Sequence, residues 1–122
     1  MFLGLRTVTL SAPDLTAARE WWTGALGFPP YFNEPFYVGF NVGGYELGLV
    51  PDQPPALSGD GPISYWGVSE IHAARQRLID HGAVGVTDVT EVGDGIKVAT
   101  VRDPFGNLVG LIENPHFKGT SN

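Results

Sequence analysis

Residues 7–20, "TVTLSAPDLTAARE", and residues 63–76, "ISYWGVSEIHAARQ", are two versions of one pattern, 56 positions apart. Asp14 falls on Glu70, Leu15 on Ile71, and Ala17-Ala18-Arg19 on Ala73-Ala74-Arg75. Self-similarity at a fixed offset marks a duplicated structural unit, so one copy predicts the other. Each copy opens with alternating apolar residues, as a strand facing two environments does. Each then passes through an acidic residue suited to cap a helix N-terminus: Asp14 in the first copy, Glu70 or Ser69 beside it in the second. Apolar residues follow at three- and four-residue spacing, Leu15, Ala18, Trp22 and Leu26, then Ile71, Ala74, Leu78 and Ala83. That spacing predicts helices over 14–25 and 70–81, each with one face built for burial. Gly24 and Gly27 follow the first helix, and Gly82 fits the left-handed position that ends the second.

Three further strands are expected in each copy, near 31–33, 36–42 and 45–50, then 84–90, 96–102 and 108–112. Gly43-Gly44 supplies a two-residue hairpin loop, and Gly93-Asp94-Gly95 a second tight turn. The class is therefore α+β, with two β-α-β-β-β repeats at about 3–50 and 63–113. The connecting "PDQPPALSGDGP", residues 51–62, holds four prolines and two glycines, so it is a linker. Residues 114–122 form a polar tail.

Composition limits the function. The 122 residues are 43% hydrophobic, enough for a core without disulfides or metal. Seven basic against thirteen acidic residues, scattered to a net charge of −6, exclude the basic stripe that nucleic acid needs. Cysteine is absent, so no thiolate site exists. No stretch reaches the roughly 20 apolar residues of a membrane span, and "MFLGLRTVTL" lacks the order of a signal peptide. A soluble cytoplasmic protein without a membrane partner is expected.

Alternation sends Val8, Leu10, Leu47, Leu49, Trp66, Val68, Val109 and Leu111 beneath the helices. The opposite face receives Thr7, Thr9, Glu46, Gly48, Ile63, Tyr65, Gly110 and Ile112, a mixture suited to line a cleft. Gly110 is the odd member, because a glycine inside a strand usually marks a close approach by something else. Tyr65 offers an aromatic face with a hydroxyl at its tip. Trp21 and Trp22 fit helix packing. "GDG" at Gly93 lacks the following helix of a phosphate loop, and no serine stands at a nucleophile elbow. His72 and His81, nine residues apart on one helix, face opposite ways, and His116 lies in the tail. His81 fits a favourable charge at a helix C-terminus.

The doubled unit, "LTAAREWWTGALGF" and "VRDPFGNLVGLIENP" together resemble the vicinal oxygen chelate superfamily, which holds glyoxalase I, extradiol dioxygenases and bleomycin-resistance proteins. The resemblance implies half-barrel sheets whose concave faces form a cleft, often in a homodimer. It also implies a divalent metal in the enzymes, held by His or Glu from the first and last strands of each unit. Carried onto this chain, those places are Thr7, Ile63, Glu46 and Gly110, of which only Glu46 is a donor suited to a transition metal. No metal and no cofactor are therefore expected. The leading expectation is a metal-free small-molecule-binding protein that sequesters an antibiotic or metabolite, with Thr7, Thr9, Glu46, Tyr65 and Gly110 at the ligand. The acidic composition favours a cationic ligand. Three alternatives stand beside it: a metal-independent isomerase or lyase with Glu46 as a general base raised by burial, a module whose cleft is filled by its own side chains, and, disfavoured, a metal-dependent glyoxalase-like enzyme.

Overall fold

The Asp14 carboxylate accepts from the Ala17 backbone N–H at 3.1 Å, satisfying one of the free donors of the first helical turn. From this cap, helix α1 runs over Leu15–Leu26 and ends on Gly27, whose left-handed φ of 87° places its N–H on the Thr23 carbonyl. Gly24, expected after the helix, lies inside it. Helix α2, Ile71–Asp80, begins differently. Glu70 stands at the N-cap but makes no side-chain capping bond. Glu113, from the far end of the chain's last strand, accepts from the Ile71 N–H at 2.9 Å instead. A residue distant in sequence has taken a local role, which no local pattern announces.

The computed structural model describes residues 1–55 and 62–117, as two units: the first through Pro55, the second after it. Strand β1 covers Thr7–Ser11, β2 Phe32–Glu34, β3 Tyr37–Val42 and β4 Tyr45–Val50. In the second unit β5 covers Tyr65–Gly67, β6 Val84–Gly93, β7 Ile96–Arg102 and β8 Leu108–Glu113. Both units thus have the expected β-α-β-β-β order. Ile63 precedes the short β5 rather than opening it. Positions 51–55 of the expected linker are turn and coil, whereas 56–61 and the end of the tail lie outside the described residues. Each unit forms one open four-stranded sheet, in the orders β1-β4-β3-β2 and β5-β8-β7-β6. In each, the first strand pairs in parallel with the last.

The Gly43-Gly44 hairpin has positive φ at both residues, 62° and 90°, as a turn matched to strand twist requires. The "DPFGN" turn before β8 is held from within. Asp103 Oδ1 accepts from the N–H groups of Phe105 and Asn107, and its Oδ2 from the Asn107 side chain. An otherwise costly buried carboxylate is thereby satisfied.

Alternation assigns the faces correctly. Ala18 and Trp22 of α1 are buried with Leu10, Val38, Phe40, Leu47 and Leu49 of the first sheet. In the second unit Ile71, Ala99 and Leu111 are enclosed by Trp66, Val68, Ala74, Leu78 and Val89. Full burial of such side chains stabilises by about 1.5–3 kcal/mol each, so helix-facing residues hold each unit. The opposite sheet faces are left for other work.

Candidate functional site

In the first sheet, Glu46 lies opposite Thr7 on β1 and Asn41 on β3. Two positions along, Thr9, Gly48 and Gly39 form the next row across the same strands. The glycines make room. A Cβ on Gly48 would sit 2.1 Å from the Tyr37 hydroxyl oxygen, and one on Gly39 would sit 2.8 Å from Glu46 Oε2. Into this room come two tyrosines, Tyr37 from the start of β3 and Tyr31 from just before β2.

Three hydroxyls of this group converge on Glu46. Thr7 donates to its Oε1 at 3.0 Å and Tyr37 to the same oxygen at 2.9 Å, while Tyr31 donates to Oε2. Donors that stabilise the charged form lower a carboxyl pKa. The Tyr31 hydroxyl, aided by Tyr37 and Thr7, holds Glu46 below the usual carboxylate range, although partial burial acts in the opposite direction. The tyrosines respond in turn. Burial, then the bond to Glu46, pushes Tyr37 up to about 12, and the bond to Glu46 is the main cause raising Tyr31. Phe32 braces the pair, its ring centroid 6.0 Å from that of Tyr37 and 6.3 Å from that of Tyr31.

This arrangement corrects the expectation of a basic Glu46. Burial does not dominate; three hydroxyls do, and a carboxylate stabilised as an anion is a weaker proton acceptor. Of Thr7, Thr9 and Tyr65, the hydroxyl-bearing residues placed with Glu46 on the cleft face, Thr7 is the one that donates to it. Thr9 stands beside Gly48, with its carbonyl taken by the Gln53 side chain at 3.1 Å. Sequence reasoning missed Tyr31 and Tyr37. One signal was available: Tyr37 shares its face of β3 with Gly39 and Asn41, the residue opposite Glu46, while Val38 and Phe40 point to the core.

The second sheet carries Tyr65 and Gly110, which are directly opposite each other. What comes close to Gly110 is this tyrosine. An added Cβ would meet Tyr65 Cδ1 at 2.7 Å, the Ser64 carbonyl oxygen at 2.8 Å and Ile63 Cγ2 at 3.0 Å. Thr100, the next residue in the row, is bonded through its hydroxyl to Thr87 at 2.8 Å. Around this row the sheet surface bounds an open concavity of about 480 Å³, with walls that include Ile63, Tyr65, Val86, Val98 and Arg102. The five expected ligand residues therefore divide. Thr7, Thr9 and Glu46 share the face in the first unit, and Tyr65 and Gly110 that in the second.

The register also shifts one expected equivalence. Thr9, the repeat partner of Tyr65, lies opposite Gly48, whereas Tyr65 lies opposite Gly110. Gly48, not Glu46, is thus the counterpart of Gly110. Two residues of slip in a strand keep a side chain on the same face, so the alternation could not reveal the difference.

The sequence profile of the glyoxalase/bleomycin resistance protein/dioxygenase superfamily matches residues 4–111, and the chain belongs to this superfamily. A protein of Mycobacterium tuberculosis and Mycobacterium bovis, CFP32, provisionally named a glyoxylase, is 27% identical over 123 residues. That match takes in 93% of this chain and 47% of CFP32, so the chain spans about half the length of the curated relatives it matches. Among solved structures, a glyoxalase-related enzyme from Fulvimarina pelagi superimposes with a TM-score of 0.77 at 17% identity, covering 99% of this chain and 96% of the other. A lactoylglutathione lyase from Agrobacterium tumefaciens gives 0.73 at 20% identity, covering 97% and 100%. TioX from Micromonospora gives 0.69 at 21%, covering 90% and 98%. At such identities the likeness is one of fold.

The residues present do not fit the metal that the enzymes of this superfamily imply. Among the described residues no three His, Asp or Glu side chains gather where they could hold an ion. The expected places offer a threonine, an isoleucine, one carboxylate and a glycine, and both oxygens of that carboxylate already accept hydroxyl hydrogens. Tyr37 and Tyr65 occupy the space in front of Gly48 and Gly110. A transition metal asks for three or more N, S or O donors, which this set does not supply.

Proposed function

We propose that the chain is a metal-independent small-molecule-binding protein that holds an antibiotic or metabolite by shape and stacking, without chemistry. The observation that carries this reading is the infilling of both glycine positions by tyrosine rings, combined with a concavity of about 480 Å³ on the second sheet. That volume is within the range of sites for drug-sized ligands, and its mostly apolar walls match them. The isomerase or lyase reading loses support because Glu46, its intended base, is held anionic by three donors. We propose a homodimer as the working assembly. It is supported by β6, an edge strand whose outer backbone groups have no neighbour in its sheet and which exposes Val84.

The test is a thermal-shift screen of metabolites and antibiotics, with elemental analysis of the same gently purified sample. A ligand at a hundred times its dissociation constant adds about 2.7 kcal/mol of stability. The expected result is a stabilising compound recovered unchanged from protein holding no stoichiometric metal. Conversion of the compound to product overturns the reading, as does one equivalent of metal per chain.

A further inference from the structure

The polar groups around the concavity of the second sheet are not equally available. The hydroxyls of Thr87 and Thr100 bond to each other at 2.8 Å, and Thr87 Oγ1 also accepts from the Thr100 N–H. Thr90 donates to the Asp88 carbonyl at 3.3 Å. Two groups are left. Arg102 gives one N–H to the Gly106 carbonyl at 2.9 Å, and its other guanidinium donors have no partner among the described residues. The Tyr65 hydroxyl likewise has none. Both side chains rise from the concave face: Tyr65 over Gly110 on β5, Arg102 from β7 opposite Leu108.

Among the described residues, no acidic side chain lines this concavity. Two carboxylates, one on β6 and one just after β7, are engaged elsewhere. Asp103 is consumed by its own turn, and Asp88 reaches Arg75 of α2 at 3.4 Å. The net charge of −6 would favour a cation at long range, but charges beyond about 8–10 Å are screened at physiological salt, so the group in contact decides. A guanidinium with unspent donors matches a planar carboxylate in charge and geometry.

Resting on the small-molecule reading above, we propose that the concave face of the second sheet selects an organic carboxylate with an apolar or aromatic body. The carboxylate lies on Arg102 and the Tyr65 hydroxyl, and the body lies on Ile63, Val86, Val98 and the Tyr65 ring. This reverses the ligand charge that composition alone favours.

The test uses the full chain and four probes that share one body: 4-phenylbutyrate, its methyl ester, 4-phenylbutanol and 4-phenylbutylammonium. Backbone amide shifts in ¹⁵N NMR give both location and affinity. The expected result is perturbation of Tyr65, Thr100 and Arg102, with the carboxylate bound at least about tenfold more tightly than the ester, alcohol or ammonium, as a charge-assisted hydrogen bond provides. Arg102→Leu should bring the carboxylate down to the level of the alcohol, and Tyr65→Phe should weaken it by a few fold. Because Arg102→Leu also loses the bond to Gly106, the unmodified protein with acid and ester decides the matter alone. Equal or tighter binding of the ester, alcohol or ammonium at this face overturns the proposed charge class and leaves the small-molecule reading standing. No perturbation of this face by any probe overturns the proposal too, and leaves the small-molecule reading to the screen above.

Discussion

Replacing Gly110 by alanine adds one methyl group, and the distances fix what it meets. The new carbon would lie 2.7 Å from Tyr65 Cδ1, 3.0 Å from Ile63 Cγ2 and 2.8 Å from the carbonyl oxygen of Ser64. A side chain can swing aside; the Ser64 carbonyl cannot, because it accepts the Gly110 N–H at 2.9 Å within the parallel ladder. Overpacking costs about 1–3 kcal/mol, and a clash with backbone belongs at the upper end, about 2–3 kcal/mol. Gly67, on the strand paired with that of Gly110, is the internal control, since a Cβ there meets nothing within 4 Å. Gly67→Ala should stabilise by about 0.4–1 kcal/mol by restricting the unfolded chain. For a domain of this size 1 kcal/mol moves Tm by about 3–5 °C, so calorimetry should show Gly110→Ala lowered by about 6–15 °C and Gly67→Ala unchanged or raised. A Gly110→Ala protein within a degree or so of the parent would refute the close approach of β5 and Tyr65 to this glycine.

Glu46→Gln should cost about 1 kcal/mol in urea unfolding at neutral pH, a figure discounted for solvent because the side chain is only partly buried. The folded pKa of Glu46 is depressed, so its contribution is fully present above the unfolded carboxylate pKa of about 4.3 and fades as pH falls through the lower folded value. The parent and the variant should therefore converge once the pH has fallen below that folded value, and a constant gap would mean that Glu46 acts through shape and not charge. At the second helix, Glu113→Ala should cost about 1 kcal/mol through loss of the cap on Ile71, while Glu70→Ala should stay within about 0.5 kcal/mol. Equal effects at the two positions would contradict the exchange of capping residue.

Periodicity made the fold legible because the signals for α1, α2 and the hairpins are local. Apolar spacing, the Asp14 cap and the Gly43-Gly44 turn each act within a few residues, and each appears where it was expected. The Glu113 cap and the Tyr31 and Tyr37 bonds to Glu46 span the tertiary structure, with partners 42, 15 and 9 residues apart. Neither type of contact leaves a repeated pattern. Glu46 was identifiable as a residue of the cleft face; its three donors, and so its acidity, depended on which side chains the sheet brings beside it.

The slip between Glu46 and Gly48 explains why one vacancy was visible and its twin was not. Aligning the copies by their helices sets Thr9 on Tyr65, and the parallel ladders then carry Thr9 to Gly48 and Tyr65 to Gly110. Both last strands thus place a glycine at the same point of their sheets. Each glycine is covered by a tyrosine of its own unit, but from different strands: β3 supplies Tyr37 and β5 supplies Tyr65. Simple duplication would have inherited one covering strand, so the two glycines are filled by separate solutions. The outcomes differ as well. Tyr37 spends its hydroxyl on Glu46, which leaves the first face internally satisfied, whereas the Tyr65 hydroxyl has no partner among the described residues. The same substitution thereby seals one sheet face and leaves the other with donors to offer a ligand.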